Sequence, residues 1–479
     1  MQVDFFELSG LEGIDYCIVG SGPAGITCAR ELAKAGSKVL LLEGGGREVS
    51  QESQSLYEGK TIGDRYFPLD VCRLRAFGGT SGHWNGWCRA LDEIDFEGKG
   101  PARLGRWPIR KSELALHLEK AAEILEIELP PPDADIPNSR LKRIHFVFSP
   151  PVRFAEKYGE EILGSQNIAL CLNCNLTRIN VSGSAVSSLS VQNYSDQTAE
   201  ITAGTYVLAC GGIENSRLLL WSNIASNGEL LKERVRLTGR YWLEHPHFTL
   251  GVAILASDFG GSTEDLEEIY IAPSPQLMAE RSVLNCGLRL TQYRHGTMRQ
   301  LLEDVTCVAP HWANWAYEQV RNRTLCARQF YAAWEQEPRL ENHVALGGTK
   351  DRLGIPEVEL HWARSKLDLK TIRECAEAFA VYLADRDVGR AKIDPWVFGE
   401  GDYPEDSGPG GAHHMGGTRM AIDPDGGVVD RDCRLFGVPN LYVIGSSVFP
   451  SAGHANPTLT IVQLALRLVE HLRNRKDTH

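Results

Sequence analysis

The stretch Asp15–Glu43, DYCIVGSGPAGITCARELAKAGSKVLLLE, decides the fold. Asp15 to Val19 is a short apolar run that reads as a buried strand. Gly20-Ser21-Gly22-Pro23-Ala24-Gly25 follows at once, and Ile26 to Ala35 reads as a helix stopped by Gly36. Lys38 to Leu42 is a second apolar run, ending at Glu43. These 29 residues make one strand–helix–strand unit. Each glycine has a physical reason. Gly20 permits the tight turn, Gly22 lets the backbone approach a pyrophosphate, and Gly25 lets helix and strand pack closely. The helix N-terminus offers free N–H groups to phosphates. Glu43, 23 positions after Gly20, is placed to accept hydrogen bonds from an adenosine ribose. The unit predicts dinucleotide binding and does not by itself separate FAD from NAD.

Outward from this unit, the chain of 479 residues is too long for one ordinary core. Ile109 to Leu125 reads as an amphipathic helix, and Pro130 to Pro137 is a proline-rich break. Ile168 to Val181 looks rich in strand. Thr205 to Cys210 is a further buried strand, with Gly211-Gly212 and a helix after it. Asn342 to Leu346 and Val358 to Trp362 alternate like strands, and Leu367 to Leu383 reads as a helix. The α/β style returns at the end, with strand Leu441 to Ile444 and helix Thr458 to Leu472. The expected organisation is a discontinuous nucleotide domain from 1–110, 166–239 and 405–479. A helical linker occupies 111–165, and a substrate-binding domain is inserted at 240–404.

The bulk numbers exclude several classes. The formal net charge of −12 repels nucleic acid and anionic membrane surfaces. No run of 18 apolar residues indicates a membrane span. The N-terminus lacks the basic-then-apolar pattern of an export signal. The twelve cysteines are scattered, some in apolar strands such as Cys17 and Cys210, which fits buried thiols and a cytoplasmic location. Cys171 and Cys174 form a lone CxxC that reads as strand-end residues, and no metal site is expected.

Three later motifs extend the reading. Arg75-Ala-Phe-Gly78-Gly79-Thr-Ser81-Gly-His83-Trp84-Asn85-Gly86 is the first. Ala412-His413-His414-Met-Gly-Gly-Thr418-Arg-Met420 is the second. The third runs from Gly445-Ser-Ser-Val-Phe-Pro450 through Gly453-His454-Ala-Asn456-Pro457-Thr458-Leu-Thr460. Together with the N-terminal fingerprint they resemble the glucose–methanol–choline (GMC) oxidoreductases, nearest to the pyranose oxidase branch and bacterial sugar dehydrogenases. The chain departs from the family in having Gly445 where the C-terminal strand usually ends in Asp, and in being short for the branch.

The resemblance implies FAD and a doubly wound, Rossmann-like α/β domain. It also implies an inserted α+β substrate domain with a large, mostly antiparallel sheet. Gly20, Gly22, Gly25, Glu43, Gly78, Gly79, Ser81, His83, Gly211, Gly445, Pro457 and Thr458 are the expected cofactor contacts. The match to the pyranose oxidase segment puts His83 beside the flavin ring. A covalent bond through it is a separate outcome, and dissociable FAD is the expected one.

The implied chemistry is oxidation of an alcohol on a sugar, polyol or glycosylated metabolite. The electron acceptor, whether oxygen, quinone or another carrier, is left open. Alcohol oxidation needs a base for the hydroxyl proton, and an imidazole titrates in the right range. The family's His-x-Gly-Gly-Thr motif falls on His414, the expected base, and its Asn-Pro-Thr motif falls on Asn456, expected to orient the substrate oxygen. His413 and His454 are expected in the substrate pocket, the latter more as a lining residue. Trp312, Trp315, Tyr317 and Trp334 read as core aromatics rather than sugar platforms. The competing reading is a flavin-fold lyase or isomerase without net redox chemistry.

Overall fold

A computed structural model describes residues 1–98, 104–256, 268–292, 325–401, 403–404 and 410–476. The fingerprint stretch forms strand Tyr16–Val19, helix Pro23–Lys34 and strand Val39–Leu42. Both strands are buried at every position, so they sit at the centre of a sheet covered on both faces. That sheet is parallel and five-stranded, in the order Leu441–Val443, Thr205–Leu208, Tyr16–Val19, Val39–Leu42, Ile168–Cys171. Strands from the start, middle and end of the chain are thus neighbours. Helices Pro23–Lys34 and Pro457–Lys476 pack on each other, and Cys28, Leu464, Ala465 and Leu468 are buried among them.

A seven-stranded antiparallel sheet forms the second layer. Its order is Gly389–Ile393, His247–Ala256, Leu325–Trp334, Cys286–Gln292, Glu268–Pro273, Leu141–Ile144, Ala134–Asp135. Helix Lys366–Asp385 covers one face, burying Ile372, Cys375, Ala376, Phe379 and Leu383 against Leu288, Leu290, Phe330 and Ala332. The spacing of those five helix residues is one apolar stripe. Ser365 caps the helix, accepting from Leu367 N and Asp368 N while Asp368 reaches back to Ser365 N. Alternation sends the intervening strand residues, Gly287, Arg289 and Ala333, to the other face. That face looks into a cavity that the glycine turn also lines.

The rest departs from local reading in three places. The expected helix over Ile109–Leu125 is broken into Lys111–Ala115 and Leu118–Leu125, with His117 turned towards Glu470 of the C-terminal helix. Strands His343–Lys350 and Pro356–Trp362 do not join the large sheet. They pair with Gly59–Gly63, burying Val344, Val358, Leu360 and Trp362 with Tyr66, Ile213 and Trp242. In addition, 134–144 supplies the outer two strands of the large sheet.

Candidate active site

A cavity of about 760 Å3 runs from the glycine turn to the open face of the seven-stranded sheet. At one end, Gly20 has φ 100°, a left-handed conformation that glycine alone adopts without strain. A Cβ on Gly25 would lie 1.9 Å from Gly20 O, so the helix crosses the turn at glycine distance. A Cβ on Gly22 would meet nothing within 4 Å, because that residue faces the cavity. Glu43 is buried and holds the turn together. It accepts from Ser21 N (3.0 Å), Ser21 Oγ (2.6 Å) and Gly45 N (2.8 Å). Gly78 N donates to Ser21 Oγ, and a Cβ on Gly79 would lie 3.0 Å from Gly22 Cα. Ser81 Oγ donates to Gly78 O and accepts from Phe154 N, which fixes the turn carrying His83. Gly79, Ser81, His83, Gly211, Gly445, Pro457 and Thr458 all line the same cavity.

This end fits an FAD molecule. The glycine cradle is open where a pyrophosphate needs backbone approach, and the buried carboxylate stands at the second strand's end. Burial, with Arg153 nearby, lowers the His83 pKa, so its imidazole is neutral.

At the other end two adjacent histidines part company. Their rings make separate sets of contacts. His414 packs its ring on Trp242 (5.8 Å between centroids) and tilts against Tyr66, and its Nε2 lies 3.5 Å from Cys72 Sγ. Burial, with help from Arg73, pushes its pKa down to about 3. His413 instead meets Asn456, with 3.3 Å between His413 Nε2 and Asn456 Nδ2. The structure therefore brings Asn456 together with His413 and not with His414.

A third histidine sets the protonation of His413. His245 Nε2 is 3.1 Å from Ala452 O, which only accepts, so Nε2 carries the proton. Neutral His245 then presents a lone pair at Nδ1, 2.9 Å from His413 Nδ1. His413 must donate there, which leaves its Nε2 lone pair facing the Asn456 amide. Burial keeps both rings neutral. His245 falls to about 3, and His413 lies well below the usual range, with His245, His247 and His414 adding to the burial effect. Glu244 clamps the pair, Oε1 accepting from His245 N and His413 N at 2.8 Å each, while Tyr66 OH donates to Oε2.

Burial pushes the Glu244 carboxyl up to about 7 against those donors. A raised carboxyl stabilises the fold fully below its unfolded value, about 4.3, and the contribution is lost as pH climbs through the folded value. Between pH 5 and 8 the native protein should lose up to about 3 kcal/mol more unfolding free energy than Glu244→Gln, which is neutral at that position at every pH; the buried carboxyls of Asp95, Glu335 and Asp368 titrate in both. Parallel urea titrations of the two proteins across that range check it, and equal slopes would sink it.

The cavity's far wall is the sheet face. His247, Ala333 and Gly287 stand in one cross-strand row, with Arg289 and Tyr270 beside them. Trp87 and Phe146 complete an aromatic side, Arg289 stacking on Trp87 at 4.3 Å. His454 lines the cavity near Gly287. Trp334 is fully buried against Phe248 on the helix-covered side, whereas Trp312, Trp315 and Tyr317 lie outside the described residues.

Sequence reading missed His245 and Glu244. Their local signal is only Glu244-His245-Pro246-His247 ahead of a strand, 168 residues from the partner His413. No metal cluster of three ligands occurs among the described residues, and no described helix is long and apolar enough to cross a membrane.

Comparison with known proteins bears on this arrangement. Residues 338–465, which carry His413, His414 and Asn456, match the family model described as GMC oxidoreductase. Residues 18–50 match that of the NAD(P)-binding Rossmann-like domain. The fructose dehydrogenase large subunit of Gluconobacter japonicus is 25% identical over 60% of this chain, and the chain spans 51% of that protein. The 2-methyl-1,2-propanediol dehydrogenase of Mycolicibacterium austroafricanum is 24% identical over 96% of this chain and 95% of its own length. Among solved structures, pyridoxine 4-oxidase from Mesorbium loti shares the fold, with a TM-score of 0.58 at 17% identity over 96% of this chain and 99% of its own.

Proposed function

We infer that this chain, whose residues 338–465 belong to the GMC oxidoreductases, is an FAD-dependent enzyme that oxidises an alcohol on a sugar, polyol or glycoside. The observation that carries the reading is the contact of His413 Nε2 with Asn456 Nδ2 in the cavity that also holds the glycine cradle. The relatives support it, being named as dehydrogenases of a sugar and of a diol. None of them favours the lyase or isomerase alternative.

The mechanism proceeds from the two side chains. A hydroxyl entering between them exchanges their long 3.3 Å contact for two better hydrogen bonds. It donates to His413 Nε2 and accepts from Asn456 Nδ2. Asn456 holds the oxygen as negative charge develops there. His413 takes the proton on Nε2, and His245 keeps that nitrogen free by holding the ring's other proton on Nδ1. Bound FAD supplies the hydride acceptor, a chemistry that amino-acid side chains lack. The base is thus His413 in this proposal, one residue before the position the motif suggested. His414 braces the wall through Trp242 and Cys72.

The proposal includes a dissociable cofactor and a reducing compartment. Ten of the cysteines in the described residues are free thiols, nine of them buried, which supports a cytoplasmic location. Acid precipitation should release FAD and leave the protein mass unmodified, whereas a mass raised by one FAD that His83→Ala abolishes would place the bond on His83. Anaerobic mixing of the yellow protein with a panel of sugars, polyols and glycosides should bleach the flavin band and yield the aldehyde or ketone in equal amount. Full colour with every member of the panel would sink the reading.

A further inference from the structure

The sheet face of the cavity carries an imidazole that the proposed oxidation leaves unused. His247 opens strand His247–Ala256 and lines the cavity beside its cross-strand neighbour Ala333. The residue is half-buried, and its ring makes no hydrogen bond among the described residues. Both ring nitrogens keep contact with the open space of the cavity. Tyr331 holds the ring edge-on, with 6.1 Å between centroids. Burial and the charge of Arg289 push its pKa down to about 4, so the imidazole is neutral. Arg289 itself is engaged, paired with Glu268 and stacked on Trp87.

A neutral imidazole offers one N–H donor and one lone pair. Polar groups inside a protein nearly always carry partners, so a ring left unpaired at a cavity wall is satisfied by whatever fills the cavity. A hydroxyl both donates and accepts, so it matches either nitrogen in either tautomer. A carbonyl matches the N–H alone, and a cation is disfavoured by the Arg289 charge that His247 feels. The position of the ring narrows the ligand further. His247 stands two residues after His245, so their Cα atoms are at most about 7 Å apart. His245 in turn holds His413 at 2.9 Å, and His413 is close enough to His247 to feel its charge. Two hydroxyls, one at His413 and Asn456 and the other at His247, can therefore belong to one molecule the size of a sugar ring.

We propose that His247 hydrogen-bonds a second hydroxyl of the substrate, on the same ring as the oxidised one, so that the site selects cyclic sugars over simple alcohols. The proposal rests on the alcohol-oxidation reading, because it takes Asn456 and His413 as the seat of the reacting hydroxyl. His247 is a binding residue here and takes no proton in the reaction. Ala333, whose side chain ends at Cβ, leaves the approach to the ring open. A substrate without the second hydroxyl leaves the imidazole unpaired against a C–H surface, and such a site discriminates against it.

The test uses the FAD-loaded protein, reduced with dithionite so that calorimetric titration reads binding without turnover. The probes are D-glucose and the set of its monodeoxy analogues. Besides the analogue lacking the oxidised hydroxyl, one more should bind the native protein roughly ten to a hundred times more weakly than glucose. In His247→Leu glucose and that analogue should bind alike, while the analogue lacking the oxidised hydroxyl keeps its penalty. His247→Ala reads the same quantity and decides the matter if His247→Leu does not fold. A native protein that binds no member of the set, or binds all of them alike, overturns the proposal. So does a second penalty that persists in either folded variant. Failure of the oxidation reading looks different: the second penalty appears and is lost with His247, but no sugar or other alcohol bleaches the oxidised flavin.

Discussion

Replacing His413 by alanine should slow flavin bleaching by roughly two to four orders of magnitude, the usual worth of a positioned general base. The loss corresponds to about 3–5 kcal/mol of barrier. The size follows from the geometry. His413 Nε2 is the cavity nitrogen whose lone pair is set by a fixed chain of hydrogen bonds, Ala452 O to His245 to His413, ending at Asn456. Without the ring, the hydroxyl proton has no acceptor at that point, and the Asn456 amide alone cannot remove it. FAD content should be unaffected, because the glycine cradle and Glu43 lie at the other end of the cavity. Stopped-flow mixing of the native and variant proteins with the same alcohol gives the ratio. A loss of less than about tenfold would mean that another group takes the proton.

The second large effect is on stability. Glu214 opens helix Gly211–Ala225 and is 3% exposed. It pairs with Arg73 at 2.9 Å and with Arg217 at 3.1 Å. Arg73 also donates to Leu69 O and Tyr57 O, and Arg217 to Leu56 O, Pro356 O and Asp351. The network ties helix Gly211–Ala225 to the 56–73 segment and to the turn at 351–356. Glu214→Ala strands two buried guanidinium groups, one of them left with Asp351 alone as counter-charge. Removing one member of a buried ion network costs about 3–5 kcal/mol. The paired arginines hold the Glu214 carboxyl below the usual range despite its burial. A lowered carboxyl contributes stability above its unfolded value, about 4.3, and loses it as pH falls through the folded value. The variant should therefore be weaker than the native protein at pH 7, with the gap closing on acidification. Urea unfolding at pH 7 and at pH 3 measures both, and a deficit below about 1 kcal/mol at pH 7 would contradict the network's role.

How much of this was legible in the sequence depends on how local each feature is. The turn at Gly20–Gly25 is decided by its own backbone; both strands stand within a residue of the expected places, and the helix starts three residues early, at Pro23. Helix Lys366–Asp385 was legible for the same reason: a serine cap and one apolar stripe specify it locally. The broken helix before Leu125 was not, because its turn at His117 is set by packing on a helix more than 300 residues later. Nor was the pairing of Pro356–Trp362 with Gly59–Gly63, since alternation reveals a strand but not its neighbour.

The site shows the same limit. The motifs brought the right segments to one cavity, and Asn456, His413, His414 and His454 all line it. Choosing between adjacent histidines needs the direction of each side chain, and only tertiary contacts carry that: Trp242 and Cys72 hold one ring, His245 and Asn456 the other. His245 itself comes from the strand-entry segment of the large sheet, and no spacing in the sequence links it to its partner.

With His413 as the base and His414 as a wall residue, the two histidines differ in what their loss does to the rate. The most direct measurement is the single-turnover rate of flavin bleaching in His413→Ala and in His414→Ala, with the same alcohol and with FAD content matched. His414→Ala should be at least about tenfold faster than His413→Ala, since only the latter loses the proton acceptor. A His414→Ala protein that is the slower of the two would contradict it.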